Sequence, residues 1–205
     1  MHQANLFGSS MSPENLALED AEISYDSEFI NTATADDWFK QLLDDTPWDQ
    51  DTITVYGKKH LTPRLSYWVG ERWMDYSYAQ HTMTPKPWTP LLETIKEQVE
   101  RASQTQFNSV LINYYRDGQD SNAWHSDDEP ELGDKPVIGS LSLGAARDFH
   151  LRHKAKKQTH KMTLEPGSLL VMSGKTQACW QHQIPKRAHA LPRINLTFRT
   201  IVRLK

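Results

Sequence analysis

Within Trp124-His125-Ser126-Asp127-Asp128-Glu129-Pro130, a histidine and three acids fall in five consecutive residues. His125 and Asp127 stand at i and i+2, so on an extended segment their side chains leave the same face. An imidazole and a carboxylate on one face can share a metal ion. A third ligand of the right type, His182 in "CWQHQIP", follows 57 residues later at the end of another expected strand. Two histidines and one carboxylate make the facial triad of non-haem Fe(II) oxygenases, which leaves about three coordination positions open. A His-x-Asp pair alone is common, and a solvated acidic loop would read the same.

The last strand, "RINLTFR", adds a second constellation. Alternation puts Ile194, Leu196 and Phe198 on one face and Arg193, Asn195, Thr197 and Arg199 on the other. Two guanidiniums about 20 Å apart along a strand could be an ordinary solvated row. Turned into a barrel they require anions, because unpaired buried charge is costly. An elongated dicarboxylate satisfies both, since arginine grips carboxylate bidentately. The strand "SVLINYYR" likewise gathers Leu111, Asn113 and Tyr115 on one face, and asparagine is disfavoured in strand interiors unless it has other work.

The elements that must position these groups follow from pattern. Residues 1–30 read as an acidic, irregular, mobile arm. Thr34 is the expected N-cap of a helix carrying Trp38, Phe39, Leu42 and Leu43. Residues 52–69 and 76–84 read as strands. Thr89-Pro90 supplies N-cap and N1 of a second helix with Leu91, Leu92, Ile95 and Val99 inward. From 107 onward short strands are expected near 107–116, 137–143, 148–153, 161–165, 168–172, 178–183 and 193–203. The class is α+β, mainly β: a sandwich or jelly-roll backed by N-terminal helices, with residues 31–205 as one domain.

The chain has 205 residues, 38% hydrophobic, which suffices for one compact core. Its single cysteine, Cys179, excludes an internal disulfide framework. No apolar run approaches the roughly 18 residues of a membrane span, and no basic-then-apolar leader opens the sequence. A cytoplasmic monomer is expected, or a nuclear one in a eukaryote. The net charge of −3 conceals an asymmetry: residues 1–50 hold eleven acids and one base, residues 51–205 fifteen acids and twenty-two bases, a net of +7. That body suits a polyanionic partner, although an ordinary solvated surface would look similar.

Together "NYYRDG", "WHSDDEPELG", "SLSLGAARDFHLRHK", "PGSLLVM" and "PRINLTFR" resemble the AlkB family of Fe(II)/2-oxoglutarate-dependent nucleic-acid dealkylases, over about Ile53 to Arg203. "HSDDEP" and "TQACWQH" are most similar to the branch of the animal DNA-repair homologues. The resemblance implies a double-stranded β-helix, with Fe(II) on His125, Asp127 and His182. It assigns 2-oxoglutarate to Arg193, with Asn113 and Tyr115 helping and Asn195, Thr197 and Arg199 lining the rest. The implied reaction oxidises an N-methyl group of 1-methyladenine or 3-methylcytosine in DNA, releasing formaldehyde, succinate and CO2. The alternatives are the same chemistry on RNA, or a nucleic-acid-binding module without catalysis.

For the substrate, the resemblance points to nucleotide-recognition hairpins at about 52–84. Tyr76 and Tyr78 would sandwich the flipped base, Tyr56 would wedge into the strand, and Lys58, Lys59 and Arg64 would meet phosphates. Asp128 and Glu129 would favour a cationic base. Arg147 to Lys161, with six Lys/Arg and three His, forms another candidate phosphate-facing edge. "QANLF" at 3–7 loosely resembles peptides that dock on the bacterial sliding clamp.

Overall fold

The structure is a computed structural model that describes residues 13–203 except 56, 72, 75, 79, 80 and 84, with backbone alone at 54–55, 76–78 and 81–83. Strands β1 (Glu14–Asn15) and β2 (Glu22–Asp26) precede helix α1 (Thr32–Asp45). A run of short strands follows: β3 (Thr52–Val55), β4 (Lys58–Leu61), β5 (Leu65–Gly70), β6 (Tyr76–Tyr78) and β7 (His81–Met83). Helix α2 (Pro90–Ser103) leads to β8 (Ser109–Tyr115), β9 (Asn122–His125), β10 (Ile138–Gly144), β11 (Arg147–His153), β12 (Thr159–Leu164) and β13 (Leu169–Ser173). A single turn, α3 (Thr176–Cys179), then β14 (Trp180–Ile184) and β15 (Arg193–Arg199) complete the fold.

The strands form a seven-stranded sheet, β1-β2-β13-β10-β15-β8-β5, facing a four-stranded sheet, β12-β11-β14-β9. Neighbouring strands of both sheets pair antiparallel. This is the jelly-roll arrangement. The pairs β3-β4 and β6-β7 are separate hairpins.

Two apolar clusters make three layers. Trp38 and Leu42 of α1 and Leu92, Ile95 and Val99 of α2 cover one face of the large sheet, meeting Ile194, Leu196 and Phe198 of β15. Between the sheets lie Ile138, Leu151, Leu164, Met172 and Trp180. The two faces of β15 thus divide as alternation requires: one packs under the helices and the other, Arg193, Asn195, Thr197 and Arg199, lines the cavity between the sheets. Because both faces of this sheet are covered, all seven residues of β15 are buried.

Several expectations change. The arm does not extend to residue 30: β2 adds to the edge of β13, pairing Ile23 with Met172 and Tyr25 with Leu170. Its acids alternate with the inward Ile23, which the acidic composition concealed. The cap of α1 is Asn31, whose side chain accepts Thr34 N–H at 3.0 Å. Asn and Thr are both good N-caps, and the same buried stripe fits either start. Thr89 caps α2 as expected. The expected strand at 52–69 is broken into a hairpin and β5, β9 was absent from the expected strands, and β15 stops at Arg199. Residues 3–7 and Tyr56 lie outside the described residues. Among those described, no helix is long and apolar enough to cross a membrane.

The β10–β11 turn sets the register of the site, since Gly144 pairs with Arg193. Gly144 has φ +84, and a Cβ there would lie 2.7 Å from the Pro192 carbonyl and 2.6 Å from the Phe39 ring. Gly144→Ala should therefore cost about 3 kcal/mol in urea unfolding, from backbone strain plus overpacking. A loss below about 0.5 kcal/mol, typical of an unconstrained surface site, would show that the turn tolerates a side chain.

Candidate metal centre and its anion pocket

β9 and β14 are hydrogen-bonded neighbours, and His125 and His182 are direct cross-strand partners. Their ring centroids are 4.2 Å apart. Asp127 follows β9, where the chain is stitched back to β14: Ser126 Oγ donates to Trp180 O at 2.8 Å, and Asp127 N donates to Gln177 Oε1 at 2.9 Å. The result brings ligand atoms of His125, Asp127 and His182 within 4.8 Å of one another.

Orientation is set by neighbouring groups. His125 Nδ1 lies 2.7 Å from the Ala123 carbonyl. A carbonyl only accepts, so Nδ1 carries the hydrogen and Nε2 bears the lone pair, which the Asn122 side-chain nitrogen faces at 3.3 Å and a metal ion would take over. Asp127 Oδ1 accepts from Arg199 Nη2 at 2.5 Å. Its Oδ2 is buried, 3.7 Å from His182 Nε2, and has no hydrogen-bond donor. A buried carboxylate oxygen without a donor, next to imidazole nitrogens, is suited to a divalent cation, and the three ligand groups fit Fe(II).

The protonation states match. Burial alone would raise the Asp127 pKa, but Arg199 and the two imidazoles outweigh it and hold the carboxyl at about 2. Burial, reinforced by His125, pushes His182 down to about 3 against the pull of Asp127. Burial also lowers His125, again opposed by Asp127. At neutral pH the triad is two neutral imidazoles and one carboxylate, already deprotonated for a metal.

The same cavity is lined by Arg64, Arg193 and Arg199, with Asp127 as the sole carboxylate among the described lining residues. Arg193 is fully buried and donates Nη2 to Ser142 Oγ at 2.9 Å, while its Nε and Nη1 have no acceptor. Burial depresses its pKa to about 10, partly opposed by Tyr115, so it stays cationic. Two unused donors on a buried cation call for an anion. Three guanidiniums against one carboxylate leave the cavity with two positive charges in excess before any metal enters. A dianion such as 2-oxoglutarate fits that demand.

Of the other candidates, Asn113, Tyr115, Asn195 and Thr197 all line the cavity. Asn195 is committed to the protein: its amide nitrogen donates to Ser140 Oγ and Leu141 O, and its carbonyl accepts from Thr197 Oγ1. Lys58 is exposed on β4. Asp128 is exposed and paired with Lys154 at 2.9 Å, and Glu129 is half-buried at the start of the turn Pro130–Leu132. The side chains of Tyr76 and Tyr78 lie outside the described residues.

Two readings need correction. Arg64 does not reach outward for phosphate: it is 6% exposed, inside the cavity, with Nε donating to Asn113 Oδ1 at 2.8 Å. The basic edge is partly spent. Arg147 is buried, Lys154 pairs with Asp128, and Lys156 pairs with Glu19 and Asp20 at 2.6 and 2.7 Å. Burial at β11 alternates, with Arg147, Phe149, Leu151 and His153 inward. That period was the signal that could have placed Arg147 inside, where it donates to the carbonyls of Asp117, Asp120 and Pro185. No sequence signal marked Gln177.

Asp20, His153 and Cys179 also come within 4.8 Å of one another. His153 Nδ1 accepts the N–H groups of Ala155 and Lys156, so its Nε2 carries the hydrogen and faces Asp20 at 3.4 Å. With the Lys156 ammonium already on Asp20, this cluster is a strap holding the β1–β2 segment to the β11–β12 hairpin.

Comparison with known proteins agrees with this geometry. Residues 23–199 match the model of the 2OG-Fe(II) oxygenase superfamily. The chain is 45% identical over 184 residues to the mouse alpha-ketoglutarate-dependent dioxygenase alkB homolog 3, covering 84% of this chain. It spans only 64% of that relative's length. It is 38% identical over 185 residues to mouse DNA oxidative demethylase ALKBH2, covering 84% of this chain and 77% of that one. The solved structure of OsALKBH1 superposes with a TM-score of 0.63 at 18% identity, covering 91% of this chain and all of that chain, which shows the shared fold.

The depressed histidine pKa values predict how metal binding responds to acid. Two histidines titrating near 6.5 would cost about a hundredfold in affinity by about pH 5.5. Here Mn(II) affinity should fall by much less than that between about pH 8 and pH 5.5, because burial holds both imidazoles below their ordinary range and the folded site takes up less proton there. A drop approaching a hundredfold in calorimetric titration would mean that the histidines titrate as if exposed.

Proposed function

Because the chain belongs to the 2OG-Fe(II) oxygenase superfamily and, within it, to the AlkB family, we propose that it is an oxidative dealkylase of N-methylated bases in DNA. The observation that carries this reading is the buried Asp127 Oδ2 without a donor, set between two neutral imidazoles beside a cavity rich in guanidinium. His125, Asp127 and His182 would hold Fe(II). Arg193 would grip the distal carboxylate of 2-oxoglutarate through its unused Nε and Nη1. When bound, iron and 2-oxoglutarate with O2 supply an oxidation that converts the N-methyl group to N-hydroxymethyl and the cosubstrate to succinate and CO2.

The chain's own residues then do the orienting. Arg199 keeps Asp127 ionised and fixes one of its oxygens, so that the other faces the ligand position. Gln177 and Trp180 hold the segment after β9 against β14, which keeps the three ligands at one distance. Tyr115 packs between the guanidiniums of Arg147, 5.6 Å away, and Arg193, 5.3 Å away, and so fixes one wall. The hydroxymethylated base loses formaldehyde, and the ring nitrogen returns to its neutral form.

1-Methyladenine and 3-methylcytosine are cationic. Asp128, paired with Lys154, and Glu129 beside it would bring acidic groups to the side from which such a base enters. The base has to leave its stack to enter, with Tyr76 and Tyr78 as its aromatic partners. Lys58 and Lys59 on β4 would meet the strand's phosphates from outside the cavity.

With DNA oligonucleotides carrying 1-methyladenine or 3-methylcytosine, Fe(II)-dependent formaldehyde release is expected, and His125→Ala should abolish it. Release from RNA but not DNA would move the substrate to RNA. Oligonucleotide binding without any 2-oxoglutarate turnover would leave a binding module. Arg193→Ala should raise the 2-oxoglutarate concentration for half-maximal rate by about a hundredfold or more, since a buried charged contact is lost. Oligonucleotide affinity should change by less than about twofold, and equal losses of both would contradict the assignment of Arg193.

A further inference from the structure

Asn113 on β8 and Asn195 on β15 are direct cross-strand partners, both buried and both lining the cavity. Their hydrogen bonding differs. Asn195 uses its amide nitrogen and its carbonyl on Ser140, Leu141 and Thr197. Asn113 accepts one bond on Oδ1, from Arg64 Nε at 2.8 Å. A guanidinium has donors and no acceptor, so only the amide oxygen can face it. The NH2 end of Asn113 is thereby turned the other way.

Arg64 is held firmly enough to do this. Its backbone N–H donates to Thr62 O at 2.8 Å, and its carbonyl accepts from Thr62 Oγ1 at 3.1 Å. Ser121 N donates to Pro63 O at 2.8 Å, and Gln50 Nε2 donates to Thr62 O at 2.7 Å. β5, starting one residue later, pairs with β8 so that Ser66 stands opposite Asn113. Among the described residues no carboxylate pairs with Arg64.

We propose that Arg64 is a positioning residue for the cosubstrate: it pins the Asn113 carboxamide with NH2 toward the cavity, making Asn113 the amide donor to the 2-oxo dicarboxylate. The inference rests on reading the cavity as the 2-oxoglutarate site. Without the pin, the amide rotates by a half turn at little cost and offers a carbonyl oxygen, which repels a carboxylate. The pair of asparagines thus divides the work: Asn195 braces the two central strands, and Asn113 meets the ligand.

The test is calorimetric titration of 2-oxoglutarate into the Mn(II)-loaded protein, in a double-mutant cycle of Arg64→Met and Asn113→Ala. Arg64→Met alone should weaken binding roughly tenfold, the order of one hydrogen bond to a charged group, with Mn(II) affinity unchanged. In the Asn113→Ala background the same substitution should change binding by less than about twofold. Arg64→Lys, which keeps a donor for the Asn113 oxygen, should restore most of the affinity. An undiminished effect in the Asn113→Ala background would mean that Arg64 acts on the ligand directly, and wild-type binding by Arg64→Met would mean that no pin operates. Either result overturns the inference and leaves the cavity reading intact, whereas failure of the wild type to bind 2-oxoglutarate overturns that reading itself. Should Arg64→Met not fold, Asn113→Asp gives an independent reading. Its carboxylate would take Arg64 on one oxygen and turn the other inward, so 2-oxoglutarate binding should fall at least about a hundredfold with the melting temperature nearly unchanged. A large fall in melting temperature would mean that residues 64 and 113 do not hold one another.

Discussion

A buried carboxylate with one oxygen held by arginine and the other left without a donor is the constraint on which this molecule turns. Asp127 cannot stay ionised at that depth without Arg199, and Arg199 cannot be buried without Asp127. Each comes from a different part of the chain, 72 residues apart. Bringing them together requires the exit of β9 to lie over β15, which in turn requires the two sheets to face each other. The jelly-roll is the topology that delivers this. Its β9–β14 pairing also sets His125 against His182 without any further device. The two imidazoles are thus a product of strand register, and Asp127, just past the end of β9, is held by the stitches to Gln177 of α3 and Trp180 of β14.

The electrostatics of the cavity extend the same logic. Three inward guanidiniums and one carboxylate do not balance, and the unused donors of Arg193 remain. The protein bears this cost with a sheet whose other face is packed under two helices by Ile194, Leu196 and Phe198. Adding a divalent cation increases the imbalance; adding a dianion reduces it. Cation and dianion are therefore expected to favour each other's binding, through charge as well as through contact.

Much of this was legible in the residues, because strand alternation has an integer period. The division of "RINLTFR" into an apolar and a polar face needed no coordinates, nor did the shared face of Leu111, Asn113 and Tyr115. The His-x-Asp spacing carried its meaning because β9 is extended up to His125. What stayed hidden has physical causes. Arg64 lies in a turn, where no period tells inside from outside, and basic residues in a turn read as surface. Arg147 sits on a strand but among five other cations, and composition outweighed period. Asn31 and Thr34 compete as caps with nothing local to separate them. The β2 segment joins the sheet through a distant edge, Ile23 pairing with Met172, 149 residues away, and acidic composition gives no hint of that.

The most direct measurement is anomalous diffraction from crystals soaked with Mn(II) or grown with Fe(II) under argon. One strong peak is predicted, bonded to Nε2 of His125, a carboxylate oxygen of Asp127 and an imidazole nitrogen of His182, at roughly 2.0–2.3 Å. A peak at Asp20, His153 and Cys179 instead, or none at the cavity under saturating metal, would contradict the account at its root.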